Sequence, residues 1–206
     1  MMAAKPFVAN GRPSSAGTSG ITGAAKLDSL RRIQRYLLAP AGSEEQSKLP
    51  EPKTLFNALQ TVLENHCGGN SEDLSIANLA LETIGEACAW LPQWCADEER
   101  RAGKLQGPGQ ARHVARGCLT SCIPAVISCF SKRKLCAGAE ACLGRVAACS
   151  SEALPDVYAI LCSALVHHGM EHDDKAVRLE STRCLPRLLA QGLATDPNLY
   201  HAVLEG

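Results

Sequence analysis

The feature of this sequence that most constrains its fold is an apolar stripe at helical spacing within residues 71–91. Apolar side chains recur there at intervals of three and four residues, which places them on one face of an α-helix: they are Leu74, Ala77, Leu81, Ile84, Cys88 and Leu91. Asn70 or Ser71 can cap this helix at its amino end. The stripe predicts a helix buried along one face. No segment of the sequence shows the sustained period of two that predicts a strand.

Helices of this kind recur in pairs along the sequence. We predict first helices beginning near residues 54, 111 and 154, and second helices beginning near residues 74, 135 and 175. The unit is about 40 residues long, which is typical of HEAT and armadillo arrays, whose repeats bury their apolar faces by stacking. The predicted fold class is therefore all-α, a HEAT/armadillo-like α-solenoid of paired antiparallel helices.

Stretches rich in glycine, proline and polar residues set the expected boundaries. Residues 1–25, which contain "NGRPSSAGTSG", are predicted to be a disordered leader, and residues 26–206 to form one domain. Pro92 lies close to the predicted end of the stripe-bearing helix. The polar stretch that follows, "CADEERRAGKLQGPGQ" at residues 95–110, is predicted to be a mobile loop.

The distribution of charge says more about partners than its total. The sequence has 21 basic and 21 acidic residues, yet residues 100–139 contain eight Lys or Arg and no Asp or Glu. Aromatic residues are not interleaved with these cations, as they are in proteins that stack nucleic-acid bases. An apolar run of the length that spans a membrane is not evident. We therefore expect neither nucleic acid nor membrane as a partner.

Several of the eleven cysteines follow helix-face spacings, and no Cys-x-x-Cys occurs. Cys118, Cys122, Cys129 and Cys136 step by four, seven and seven residues, as residues on one helix face do. This pattern predicts reduced cysteines that act as small apolar side chains in the interior. A secreted disulfide framework does not fit the length and the regular helical pattern.

The histidine cluster "HHGMEH" is the only candidate for metal chemistry that stands out. His168 and His172 are four residues apart, a spacing at which two histidines of one helix can chelate a metal. Gly169 weakens that helix, and no third ligand stands at a fixed offset, so we expect no metal site. Phosphate-binding and hydrolase motifs are also lacking in the sequence. We expect no enzyme activity and no cofactor.

The turns between paired helices are the main candidates for a binding surface. They are "CGGNSEDL" at 67–74, "SKRKL" at 131–135 and "EHDDK" at 171–175. In a stacked array these turns would follow one another along one edge, and the cationic middle turn suits an acidic protein partner. Trp90 and Trp94 form a further candidate, because they share one surface if the helix continues past Pro92.

Three segments resemble successive repeats of a TOG domain, the HEAT-repeat tubulin-binding module of microtubule polymerases and CLASP-type regulators. They are "NSEDLSIANLALETIGEACAWL", "CIPAVISCFSKRKLCAGAEACLGRVAACSS" and "HDDKAVRLESTRCLPRLLAQG", and the resemblance covers about residues 54–192. It implies a flat paddle of helix pairs whose intra-repeat turns bind the αβ-tubulin dimer. The tubulin-binding residues that it implies are Asn70, Ser71, Lys132, Arg133, Lys134, Asp174, Lys175 and Arg178. Asp173 stands where the family typically has a lysine.

The resemblance leads us to expect a cytoplasmic, cytoskeleton-associated binding module, acting as a monomer or as part of a larger multidomain chain. An alternative stays open at this point. A HEAT-type scaffold could instead dock another protein or a peptide on its concave helical face.

Overall fold

The computed structural model describes residues 22–102, 109–151 and 153–195, which form an all-α fold. Its helices are α1 (Gly23–Leu37), α2 (Pro52–His66), α3 (Ser71–Ala102), α4 (Gln110–Ser128), α5 (Cys136–Ala148), α6 (Val157–Ala164) and α7 (Lys175–Thr195). Short 3₁₀ turns, Gln46–Lys48 and Cys129–Ser131, precede α2 and α5, and α6 continues as a π-helical segment, Leu165–Met170. These described residues contain no β-strand, only an isolated bridge between Ser151 and Leu154.

Alternate helices of the fold pack against one another. In one set α2 contacts α4, and α4 contacts α6; in the other set α1 contacts α3, α3 contacts α5, and α5 contacts α7. Neighbours in sequence also pack as pairs, α2 with α3, α4 with α5, and α7 with the π-helical segment that follows α6. The apolar core lies between the two sets, and α3 is central to it because it contacts α1, α2, α4 and α5.

The predicted apolar stripe lies in α3, but this helix is longer than its sequence suggests. Of the stripe residues, Ala77, Leu81, Ile84, Cys88 and Leu91 are fully buried. Pro92 does not end α3, which continues to Ala102, so the predicted loop at 95–110 is wrong over residues 95–102. A proline inside a helix costs about 3 kcal/mol. That cost is offset here because the extra turns bury Cys95 completely and pack Trp94 on the core. Residues 103–108 of the predicted loop lie outside the described residues.

The first described helix begins inside the predicted leader. α1 starts at Gly23, and Thr22 caps it, since its Oγ1 accepts a hydrogen bond from the Ala25 backbone N–H at 3.4 Å. Residues 23–25 are therefore helical, and the boundary predicted at 25/26 falls slightly too late. Residues 1–21 of the leader lie outside the described residues.

The cysteine prediction is confirmed by the core. All eleven cysteines are free thiols, and eight of them are buried. Burial is the first cause that raises the pKa of Cys95, Cys118 and Cys184 to about 11, and that of Cys149 to about 12. These thiols therefore stay protonated at neutral pH and pack as small apolar groups.

The last helix pair contains a very close approach. The predicted helix over 154–170 is irregular, because its last turn and a half is π-helical, and Gly169 in this part lies against Ser181 of α7. A methyl group at Gly169 would lie 2.3 Å from Ser181 Oγ and 2.6 Å from Ser181 Cβ. Ser181 is fully buried, and its hydroxyl has no hydrogen-bond partner among the described residues. Only glycine fits the chain at this crossing.

Candidate functional site

The first turn, between α2 and α3, is organised by a reciprocal helix cap. Asn70 Oδ1 accepts hydrogen bonds from the backbone N–H groups of Glu72 at 2.9 Å and Asp73 at 3.1 Å. In return, Asp73 Oδ2 accepts from the Asn70 N–H at 3.1 Å. Of the two capping residues that the sequence offered, the structure uses Asn70, whose amide oxygen is thereby engaged within the turn. Ser71 is exposed.

A hydrogen-bond network centred on His66, which the sequence did not predict, supports this turn. The nearly buried His66 of α2 contacts Asp73 Oδ1 through Nδ1 at 2.6 Å and Lys26 Nζ of α1 through Nε2 at 3.1 Å. Because the lysine ammonium can only donate, His66 Nε2 accepts and Nδ1–H donates to the carboxylate. The His66 hydrogen bond, followed by the Asn70 N–H, lowers the pKa of Asp73. The network joins α1, α2 and α3 at the same edge.

The middle turn, between α4 and α5, projects three consecutive cations. Cys129 and Phe130 before it and Leu135 after it are buried, so the residues between them have to loop outward. Two backbone hydrogen bonds, Lys132 N–H to Cys129 O at 3.0 Å and Leu135 N–H to Lys132 O at 2.8 Å, close the turn. Lys132, Arg133 and Lys134 are exposed, and none of them forms an ion pair with any residue that the structure describes. We call these three residues the cationic turn.

The other described arginines of the acid-free region form ion pairs. Arg100 pairs with Asp97, and Arg101 with Glu98 at 2.9 Å. Two further arginines pair with carboxylates that lie outside the region in sequence: Arg112 with Glu99 at 2.9 Å and Arg116 with Asp156 at 2.9 Å. The basic stretch that the sequence shows therefore reduces, among its described residues, to the cationic turn as the main unpaired positive surface.

The third turn, before α7, is held together by its own charged residues. Asp174 Oδ1 caps α7 by accepting from the Ala176 N–H at 2.7 Å. Arg178 is partly buried, and its Nη1 donates to the carbonyl oxygens of both His172 and Asp173 at 2.7 Å. Arg178 therefore fixes the turn, whereas the sequence suggested that its charge is free for a partner. Lys175 is exposed.

The segment that leads into the cationic turn, Cys129–Ser131, packs against α7, the helix that begins at the end of the third turn. Burial, followed by the thiols of Cys67 and Cys136, raises the pKa of Cys129 to about 12, and Cys67 belongs to the first turn. Both other turns carry exposed acidic side chains, Glu72 in the first turn and Glu171, Asp173 and Asp174 in the third.

Two histidines of the cluster, His167 and His172, make local contacts. His172 Nδ1 accepts from the Asp174 N–H at 2.9 Å, and His167 Nδ1 lies 3.3 Å from a carboxylate oxygen of Glu171. Within residues 22–102, 109–151 and 153–195, no group of three or more His, Cys, Asp or Glu side chains is arranged to hold a metal.

One helix region has the length and composition of a membrane-spanning segment. Residues Gln110–Ser131 are long and apolar enough to cross a membrane, so the expectation that the sequence lacks such a run is wrong. Half of the 18-residue apolar stretch within this segment is buried inside the fold, where α4 contacts α2, α3, α5 and α6, as the core helix of a folded domain does.

Comparison of the chain with protein-family models, with curated proteins and with solved structures finds no match.

Proposed function

We propose that this chain is a non-catalytic binding module of the HEAT-repeat type, TOG-like in organisation, that binds the αβ-tubulin dimer through its edge of turns. The observation that carries the proposal is the cationic turn, the middle one of the three turns in chain order, whose three exposed cations form no ion pair with the residues that the structure describes. The other described arginines of the same basic stretch are held in ion pairs.

The order of helix packing supports the solenoid part of this proposal. Stacked helix pairs place first helices against first helices and second helices against second helices. The contacts of α2 with α4 and α6, and of α3 with α5 and α7, follow that order. α1 also contacts α3, as the second helix of a preceding pair would.

The residues of the edge divide into those that build it and those that can reach a partner. Hydrogen bonds within the turns engage the side chains of Asn70, Asp174 and Arg178. The cationic turn and Lys175 present their charges to solvent, and Ser71 adds an exposed hydroxyl. We therefore assign direct contact with an acidic surface to Ser71, the cationic turn and Lys175, and a supporting role to the other three.

Electrostatic attraction is the mechanism that this arrangement supports. Exposed ion pairs contribute about 0.2–1 kcal/mol each, so three pairs made by the cationic turn would strengthen binding by roughly threefold to 100-fold. The same charges would speed association, and both effects would weaken as salt rises. The acidic neighbours Glu72 and Asp173 restrict the favourable surface to the middle of the edge.

The experiment is size-exclusion chromatography or sedimentation of the chain with purified tubulin dimer. The test variant carries Lys132→Glu, Arg133→Glu and Lys134→Glu. A matched control reverses three other exposed cations, Arg32, Arg35 and Lys53, and so changes the net charge equally. We expect binding by the wild type and the control and loss of binding in the test variant. No binding by the wild type would refute the tubulin proposal, and equal binding by both variants would refute the assigned edge.

A second candidate, a scaffold that docks a partner helix on the face formed by α5 and α7, is favoured by a groove there. Its volume is about 560 Å³, and small residues of α5 line it: Ala137, Ala141, Gly144 and Ala148. Such a floor lets another helix approach closely. The exposed Ala141 allows a separate test, because Ala141→Trp would fill the groove and leave the edge of turns untouched. Loss of tubulin binding in this variant, with the cationic-turn variant still binding, would favour the groove.

A further inference from the structure

Away from the edge of turns, a cavity lies between α3 and the segment that joins α1 to α2. It has a volume of about 300 Å³, near the lower end of the range for small-molecule sites. Its apolar wall includes Trp90, Trp94, Leu49 and Pro50, and its polar wall includes three carboxylates, those of Glu51, Asp97 and Glu98, with the single guanidinium of Arg101.

The outer wall of this cavity is held in place by specific hydrogen bonds. Gln46 Oε1 accepts from the Gly42 N–H at 2.9 Å and from Gln93 Nε2 of α3 at 3.3 Å, which ties the connecting segment to the helix. The Gln46 N–H donates to Ser43 Oγ at 3.2 Å. Gly42 has a φ of +73°, a backbone conformation that favours glycine. The wall is thus a built structure and does not depend on a bound ligand.

The two tryptophans form an aromatic corner in the cavity wall. They stand one helical turn apart because α3 continues through Pro92, and their ring centroids are 6.3 Å apart with a 48° angle between the planes. Trp90 is 9% exposed, so it is shielded from bulk water. Indole is the aromatic ring that attracts a cation most strongly across its face, and this attraction grows when the cation is desolvated.

The carboxylates of the cavity are available to an incoming cation. Glu98 pairs with Arg101 at 2.9 Å, and Asp97 pairs with Arg100, but both arginine side chains are 76% exposed. Exposed pairs of this kind contribute little stability, so a better-placed cation can replace either arginine. The third carboxylate, Glu51, forms no ion pair with any residue in the described ranges.

We propose that this cavity binds an alkylated ammonium group, such as the trimethylated ammonium of a lysine side chain or of a choline-type molecule. The aromatic corner would contact the methyl groups, and Glu51, Asp97 and Glu98 would balance the charge. An unmodified lysine ammonium is a compact, strongly hydrated charge and loses more hydration on entering a half-apolar cavity. This site is independent of the edge of turns, and its presence does not depend on tubulin binding.

Intrinsic fluorescence gives a direct test, because both tryptophans of the chain line the cavity. The probes are tetramethylammonium chloride and choline chloride, at constant ionic strength, against the uncharged isostere 3,3-dimethylbutan-1-ol. We expect a saturable change with both cations and binding of the isostere at least about tenfold weaker. Absence of a saturable change, or an equal response to the isostere, would overturn the proposal.

Variants distinguish loss of the ammonium site from a general loss of folding. Glu98→Gln should weaken tetramethylammonium binding by about threefold to tenfold, whereas Glu99→Gln, at an acid paired with Arg112 and absent from the cavity lining, should leave binding unchanged. Trp94→Ala should abolish binding by calorimetry, and Trp94→Phe should retain part of it, which a folding defect would not produce. Equal affinities of Glu98→Gln and Glu99→Gln would contradict the assignment.

A last comparison distinguishes the two sources of the ammonium group. A trimethyllysine peptide that binds at least about tenfold more tightly than choline would identify a modified protein side chain as the ligand. The reverse order would identify a free choline-type molecule.

Discussion

Replacing Gly169 with alanine tests the closest helix contact in the structure. The added methyl group would lie 2.3 Å from Ser181 Oγ and 2.6 Å from Ser181 Cβ. The hydroxyl can rotate away, but Cβ is fixed to the backbone, so α7 and the π-helical segment have to move apart. Overpacking of this kind costs about 1–3 kcal/mol, and the higher helix propensity of alanine returns about 0.5–1 kcal/mol. We therefore expect Gly169→Ala to lower the free energy of unfolding by roughly 0.5–2 kcal/mol.

The energetic cost of the clash with Ser181 can be isolated with a double-mutant cycle measured by urea unfolding. Ser181→Gly removes both atoms with which the new methyl group would clash, so on that background Gly169→Ala should stabilise the fold by about 0.5–1 kcal/mol, and the coupling should be about 1–3 kcal/mol. Gly117→Ala in α4 is the control, since a methyl group there meets nothing within 4 Å. It should stabilise the fold by about 0.5–1 kcal/mol. Equal effects of the two glycine substitutions, or a coupling near zero, would refute the packing argument.

Three further outcomes follow from the structure. The contacts of Asp73 lower its pKa from the ordinary value of 3.8, so its contribution to stability is present above pH 3.8 and is lost as pH falls through the lowered pKa. The difference in unfolding free energy between wild type and Asp73→Asn should therefore shrink toward zero in acid. A constant difference from pH 7 to pH 2 would contradict this. Arg178→Ala should cost about 1–3 kcal/mol in urea unfolding, because it removes two hydrogen bonds from a charged donor to the turn, and an unchanged midpoint would disprove that role. Titration of the folded protein with a thiol reagent at neutral pH should label only the three partly exposed cysteines, Cys67, Cys136 and Cys162. Labelling of all eleven before unfolding would contradict the burial of the other thiols.

Much of the local structure follows from the sequence because one rule dominates each part of it. The stripe in α3 is set by helical periodicity, the first turn by a capping asparagine, and the buried cysteines by their spacing on helix faces. The outward position of the cationic turn also follows, since buried side chains flank three charged ones. These features depend on residues that are close in sequence.

Features that depend on distant residues were not predictable in the same way. α3 passes through Pro92 because tertiary burial of Cys95 outweighs a local penalty, and no local signal reports that burial. Arg178 has the sequence context of an exposed helix residue, yet it turns back onto two carbonyl oxygens. The contact of Lys26 with His66 joins residues 40 positions apart. In the apparent basic region, most of the described cations form ion pairs with carboxylates that lie outside the region in sequence.

Tubulin affinity at two salt concentrations tests the central claim most directly. The dissociation constant would be measured for the wild type, for the variant with Lys132, Arg133 and Lys134 changed to Glu, and for the control with Arg32, Arg35 and Lys53 changed to Glu. At about 50 mM salt we expect the wild type and the control to bind alike and the cationic-turn variant to bind at least about tenfold more weakly; at about 300 mM this difference should narrow as salt screens the exposed charges. Equal affinities of the two variants at low salt, or a wild type that does not bind tubulin, would contradict the account.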